Sequence, residues 1–237
     1  RKESSAASDV YKRQRLDVAY GRNAIRHATD HGNALLSRYP ILDHENLDIS
    51  DHRLEQRGLL HARVELDGRA VHCFVVHLGL FAGSRTRQVL ALTERIRRMV
   101  PDGEPILIAG DFNDWNDRLA PLFVQQLGLY EVFSHAPRSH GGELPRLRDS
   151  VKRLSNALRG LPNSGLSVME RNNQLGMEGS SRLLLPPPRT FPAVFPWFRL
   201  DRIYQRGFAV RSARVLRGRE WARLSDHSPL LAELELP

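Results

Sequence analysis

The run Val71–Leu78 is almost continuously apolar, and a second apolar run, Pro105–Ala109, follows some thirty residues later. A strand that barely alternates polar and apolar residues is buried on both faces, which requires a sheet covered on each side. Between the runs Val89, Leu92, Ile96 and Met99 recur at spacings of 3, 4 and 3. That spacing predicts a helix capped by Ser84 and stopped before Pro101. Strands alternating with helices, then strands again, predict an α/β domain with sheets flanked by helices.

The other elements fit that frame. Gly32–Ile41 reads as a turn entering a short strand that Pro40 ends, and Leu59–Leu66 reads as another strand. Asp67-Gly68 is a two-residue hairpin signal, and Asp102-Gly103 is a turn. Arg118–Leu127 predicts a helix with Gly128 as its C-cap, and Leu200–Tyr204 and Leu230–Leu236 read as late strands. A chain of 237 residues that is 41% hydrophobic suits one domain with a substantial core. The single cysteine, Cys73, lies inside an apolar run and excludes an internal disulfide, so it reads as a buried structural thiol. No apolar stretch approaches the roughly 20 residues of a membrane-spanning helix. The expected location is the cytoplasm, with secretion left open.

Net charge +8 and a pI of about 10.3 invite a nucleic-acid reading. The charge sits in the wrong places for it. Residues 1–14 carry +2 and residues 136–190 carry +5, which leaves +1 for all the rest. The segment 136–190 is rich in Gly, Pro and Asn, and reads as a basic, flexible insertion within a domain spanning 15–237. Asp9-Val10-Tyr11-Lys12-Arg13-Gln14 is what GAT GTG TAT AAG AGA CAG encodes, a string that resembles a transposon mosaic-end adaptor. Residues 1–14 are therefore expected to be a sequencing artefact and stand outside the fold.

Polar residues gather where the apolar runs end. Val71–Val76 leads into His77, and Ile106–Ala109 into Gly110-Asp111-Phe112-Asn113. Phe198-Arg199-Leu200-Asp201-Arg202-Ile203 puts an acid inside an apolar strand, and Leu224 leads into Ser225-Asp226-His227-Ser228-Pro229. Buried carboxylates are costly unless paired or metal-bound, so these residues predict one site at the mouth of a sheet. Singly, each has a plain structural reading: a core histidine, an Asp201 paired with Arg199 or Arg202, a tight Gly-Asp-Phe-Asn turn, an Asp226 cap. Their joint occurrence carries the argument.

In that order the stretches resemble the endonuclease/exonuclease/phosphatase superfamily: Gly32-Asn33-Ala34-Leu35-Leu36-Ser37-Arg38-Tyr39-Pro40-Ile41, Val76-His77-Leu78, Gly110-Asp111-Phe112-Asn113, Leu200-Asp201-Arg202-Ile203 and Ser225-Asp226-His227. The accessory stretches Tyr20-Gly21-Arg22-Asn23-Ala24, Asp114-Trp115 and Thr190-Phe191-Pro192 are similar to a bacterial subgroup. The resemblance implies a four-layer α/β sandwich and a metal-dependent phosphoester hydrolase of phosphodiesterase or nuclease type. It implies His227 as general base and Asp201 as the acid orienting it. Asp111 and Asn113 would position water, phosphate and metal, Asp226 would ligate metal, and His77 would bind phosphate and favour the leaving oxygen. Arg38 and Asn23 would contact phosphate. An oxygen-only ligand set suits Mg²⁺ or Mn²⁺.

The family opens with a strand ending in Asn, then a Gln-Glu pair whose Glu ligates metal; no Gln-Glu occurs in this chain. The expectation is an N-terminally truncated member lacking its first strand and helix. Without that strand, Leu230–Leu236 would present an unpaired edge. The alternative function is a catalytically inactive fragment that holds an acidic partner through 136–190. A metal-free Ser-His-Asp hydrolase fits poorly, because Ser225 and Ser228 flank His227 too closely and no Gly-x-Ser-x-Gly elbow occurs. The expected partner is a phosphoester substrate (nucleic acid, phospholipid head group or inositol phosphate), acted on by a monomer without an obligate protein partner.

Overall fold

The computed structural model describes residues 16–26, 29–52, 55–136 and 186–237. The first described elements form an antiparallel hairpin, β1 (Asp17–Arg26) and β2 (Thr29–Ser37). Next come β3 (Ile41–Asp48), β4 (Gly58–Leu66), β5 (Arg69–His77), helix α1 (Ala82–Met99) and β6 (Ile106–Asp111). Then α2 (Ala120–Leu127), the two-residue β7 (Tyr130–Glu131) and the short α3 (Val132–His135) precede β8 (Asp201–Arg206). The chain finishes with β9 (Ala209–Val215), α4 (Arg219–Ala222) and β10 (Leu230–Glu235).

Among the described residues six strands form one mixed sheet in the order β3-β4-β5-β6-β8-β7. Only the β5–β6 pair in it is parallel, and α1 makes the crossover between them. The fold is the mixed α/β class that the strand and helix pattern predicts. Burial explains the apolar run of β5. Phe74 and Val76 face Val89, Leu92 and Ile96 of α1, with Ile106 and Ile108 of β6 in the same cluster. Val75, on the opposite face, packs with Leu60, Ala62 and Ala19 under the β1–β2 hairpin. Each fully buried side chain of this size contributes roughly 1.5–3 kcal/mol, so losing either cover would be severe. Asn33 pins the hairpin down: its buried Nδ2 donates to the Gly58 carbonyl at 2.8 Å and the Val75 carbonyl at 3.1 Å.

Some boundaries differ from the sequence reading. The strand expected over Gly32–Ile41 runs earlier, over Thr29–Ser37. A turn at Arg38–Pro40 follows it, closed by the Tyr39 N–H donating to Ser37 Oγ at 2.9 Å. Ser84 does not cap α1, because the helix starts at Ala82 with Phe81 as its N-cap. The Ser84 hydroxyl instead donates to Asp51 Oδ2 at 2.7 Å. Met99, expected on the apolar face, is 42% exposed at the last turn of the helix. Gly128 does close α2, in the left-handed conformation at φ 61°. β10 pairs with β9, and no described strand lies on its other side.

Residues 1–14 lie outside the described residues, as does 136–190 apart from Ala136 and residues 186–190. Of the latter, Pro187 and Thr190 are buried, and the Thr190 N–H donates to the Phe198 carbonyl at 2.8 Å. Pro187 and Thr190 therefore pack with the domain. No described helix is long and apolar enough to cross a membrane.

Candidate active site

Strand register assembles the first half of the site. β5 and β6 run parallel with His77 opposite Asp111, and β6 and β8 run antiparallel with Asp111 opposite Asp201. Three polar residues from three strands thus stand in a row at one end of the sheet. Gly110 is what lets β6 approach there: a Cβ at this position would sit 1.9 Å from the Val76 carbonyl oxygen, and its φ of 144° suits only glycine. Immediately beyond, the Asn113 N–H donates to Asp111 Oδ1 at 2.8 Å, and Asn113 Nδ2 donates to the Leu78 carbonyl at 2.8 Å. Asn113 takes φ 50° to do so. An Asn tolerates that conformation where bulkier residues do not.

The 225–228 loop supplies the second half. It is laced to the 190–193 segment by Ser228 N–H donating to the Thr190 carbonyl at 2.8 Å and Ala193 N–H donating to the Asp226 carbonyl at 2.6 Å. The His227 ring lies 4.9 Å from the Phe191 ring, and its Nδ1 is 2.8 Å from Asp201 Oδ2. A carboxylate only accepts, so Nδ1 carries the proton and Nε2 of the neutral ring keeps a free lone pair. This bond raises the His227 pKa above its usual value, against the opposing effect of burial. Burial raises Asp111 as well, offset by the Asn113 N–H and reinforced by the negative charge of Asp201.

His77, Asp111, Asn113, Asp201, Asp226 and His227 all line one cleft of ≈ 700 Å³, walled by Trp115, Phe191 and Phe198 among others. Arg202 does not neutralise Asp201. Its fully buried guanidinium donates to the carbonyls of Arg199, Asp201 and Asp114 and fixes the loops around the acid. Arg38 is exposed in the β2–β3 turn and lines neither this cleft nor its neighbour. Asn23 lines the neighbouring cavity of ≈ 420 Å³, which shares His77 and Leu80 with the cleft, and its Oδ1 accepts from Asn46 Nδ2 at 3.3 Å.

Arg57 was missed in the sequence. Its Nη1 donates to His77 Nε2 at 3.2 Å, which makes that nitrogen an acceptor and the ring neutral. Burial, then the Arg57 charge, lower the His77 pKa accordingly. Asp111 Oδ2 stands 3.5 Å from the same nitrogen. The signal was available in the register: β4 enters antiparallel to β5, so the residue before Gly58 lies beside the end of β5.

The oxygen donors offered to a cation are the carboxylates of Asp111 and Asp226, with the Asn113 amide at the same wall. Among the described residues no three His, Cys, Asp or Glu converge into a protein-only metal cage. Mg²⁺ needs no such cage, since it keeps several waters and takes one or two carboxylates together with substrate phosphate. The donor set fits it on those terms.

A model of the Endonuclease/Exonuclease/phosphatase family matches residues 5–227, and the chain belongs to that family. Its members are phosphoesterases. Among curated relatives, "Uncharacterized protein YbhP" of Escherichia coli (strain K12) is 38% identical over 222 residues, spanning 93% of this chain and 69% of its own length. Among solved structures, the endonuclease/exonuclease/phosphatase from Bacteroides vulgatus has a TM-score of 0.64 at 18% identity, over 98% of this chain and 81% of that one. The human Nocturnin catalytic domain with bound sulfate anion has a TM-score of 0.64 at 15% identity, over 98% of this chain and 76% of that one. At such identities the likeness is one of fold.

Proposed function

We propose that the chain is a divalent-metal-dependent phosphoester hydrolase, of phosphodiesterase or nuclease type, in which His227 activates water for in-line attack on phosphorus. The observation that carries this reading is the 2.8 Å bond between His227 Nδ1 and Asp201 Oδ2 in a cleft shared with Asp111, Asn113 and His77. Asp201 holds the tautomer in which His227 Nε2 is free to take a proton from water, and it stabilises the imidazolium that results. The water oxygen bonds to phosphorus as the bond to the leaving oxygen breaks; the leaving oxygen departs with the electron pair and is protonated from solvent, and His227 later gives its proton to solvent. Asp111 and Asn113, locked together by their own hydrogen bond, orient the water and the phosphate. His77 lies on the leaving-group side, and the Arg57 guanidinium beside it adds a fixed positive charge toward the phosphoryl oxygens. Asp111, Asn113 and Asp226 would hold Mg²⁺ or Mn²⁺, which when bound neutralises charge on those oxygens.

The test is metal dependence on a chromogenic diester. Chelation should abolish p-nitrophenol release from bis-p-nitrophenyl phosphate, and added Mg²⁺ or Mn²⁺ should restore it. Asp226→Asn should raise the metal concentration needed for half-maximal rate. Turnover that continues unchanged after exhaustive chelation would refute the metal assignment.

A further inference from the structure

The wall of the cleft formed by residues 190–198 carries a feature that phosphoester hydrolysis does not need. Phe191 and Phe198 bridge each other as an antiparallel pair, with the Trp197 and Phe198 N–H groups both donating to the Phe191 carbonyl at 2.8 Å. The Phe195 N–H donates to the Pro192 carbonyl at 3.1 Å, so the loop between is a hydrogen-bonded turn. At its tip Val194 is 83% exposed, Phe195 65% and Trp197 61%, with the last two rings edge-on at 5.5 Å. Leu224, 77% exposed, stands two residues from Asp226, to whose carbonyl this loop is bonded. Large apolar side chains held in water by an ordered backbone cost solvation free energy, and a contiguous patch of them marks an interaction surface.

The shape and surroundings select the occupant. The patch consists of a few side chains of one turn with Leu224, far fewer than the roughly 20–30 residues a side of a stable protein interface. It is a projecting turn and not a flat face or groove. Cations lie at its base: Arg217 donates to the Arg189 carbonyl just before the loop, and exposed Arg223 is the sequence neighbour of Leu224, with exposed Asp226 the acid nearby. A Phe/Trp tip with arginines at its base matches a bilayer surface, where aromatics enter the headgroup boundary and arginines meet anionic lipid.

We propose that residues 193–198 and Leu224 are a membrane-docking element that presents the cleft to phosphodiesters of an anionic lipid surface. The inference rests on the phosphoester-hydrolase reading for its substrate class, but the docking step stands apart from turnover. Because Phe198 belongs to both the exposed loop and the cleft wall, docking sets the catalytic row at the level of lipid headgroups.

The experiment is co-sedimentation of the full chain with vesicles of phosphatidylcholine alone or with about 30 mol% phosphatidylglycerol, at low and high salt. Binding should favour the anionic vesicles, weaken with salt and shift tryptophan emission to the blue. The double substitution Phe195→Ala/Trp197→Ala should lower partitioning by roughly tenfold or more. It should leave the melting temperature and bis-p-nitrophenyl phosphate turnover unchanged while slowing hydrolysis of a vesicle-borne phosphodiester. Equal partitioning of wild type and double variant would overturn the proposal, as would absence of binding to either vesicle. So would dimerisation through the loop, read as a sedimentation shift that the double variant abolishes. Loss of turnover on both substrates with vesicle binding intact would refute the hydrolase reading and leave docking standing.

Discussion

At the scale of single residues the account turns on His227. Its pKa is raised above the usual 6.5, first by the hydrogen bond to Asp201. The fold thus favours the protonated ring, and this stabilisation is fully present below 6.5 and disappears as pH rises through the folded value. Turnover needs the opposite form, because only a neutral ring accepts a proton. The acid limb of kcat/KM should therefore titrate above 6.5. Asp201→Asn should move that limb down and cost roughly 10²-fold in kcat, measured as a pH–rate profile on bis-p-nitrophenyl phosphate. An unmoved limb would mean that Asp201 does not set the ring's protonation. His77, Asp111, Asn113, Asp201 and His227 were legible because each breaks an apolar pattern at a strand end. Arg57 was not, since an arginine beside a glycine carries no local signal and gains its place only from cross-strand register. Arg38 stands apart: it lies in a recognisable motif, while the turn that holds it leaves it exposed and outside the lining of the cleft.

At the scale of elements, the closeness of β5 and β6 depends on Gly110. Gly110→Ala would put a methyl group against the Val76 carbonyl and strain φ, and should cost on the order of 2–4 kcal/mol. Thermal melts would register the loss, and turnover should fall with it because Asp111 is the next residue. A Tm within a degree or so of wild type would show that the strands can part without consequence. β5, buried on both faces, and α1, with one buried apolar stripe, were readable from hydrophobic pattern alone. β3 was not, because as an edge strand it exposes most of its residues, with a mixed pattern that matches no template. β9 was passed over for a similar reason: Arg211 and Arg214 interrupt it, and its pairing with β10 is the context that makes it a strand. The α1 start was missed because Ser84 spends its hydroxyl on Asp51, a tertiary contact that mimics a cap in sequence.

For the whole molecule, acid sensitivity should arise at two buried histidines, His77 in the cleft, lowered to about 4, and His61 away from it. His61 Nε2 lies 2.9 Å from His72 Nδ1, and His72 Nε2 lies 2.6 Å from Glu104 Oε2, at the other end of β5 from His77. Burial, then the neighbouring His72, lower the His61 pKa from 6.5 to about 4. A depressed histidine pKa means the unfolded chain binds the proton first. The stability it contributes is present above 6.5 and is lost as pH falls toward 4. The melting temperature should drop over that window, and His61→Gln should flatten the drop while lowering Tm at neutral pH. Fold class was legible at this scale because burial of long elements dominates it. The domain reading of 136–190 stands as a proposal: replacing residues 138–184 by a short Gly/Ser linker should preserve cooperative unfolding, since loop closure grows only logarithmically with length. A broadened or lost transition would place that segment in the core. The account as a whole stands most directly on one comparison, the rate of bis-p-nitrophenyl phosphate hydrolysis by the wild-type chain and by His227→Ala, each at saturating Mg²⁺ or Mn²⁺. His227→Ala should lose roughly 10²-fold or more in rate with the metal requirement retained; equal rates would contradict a base role for His227.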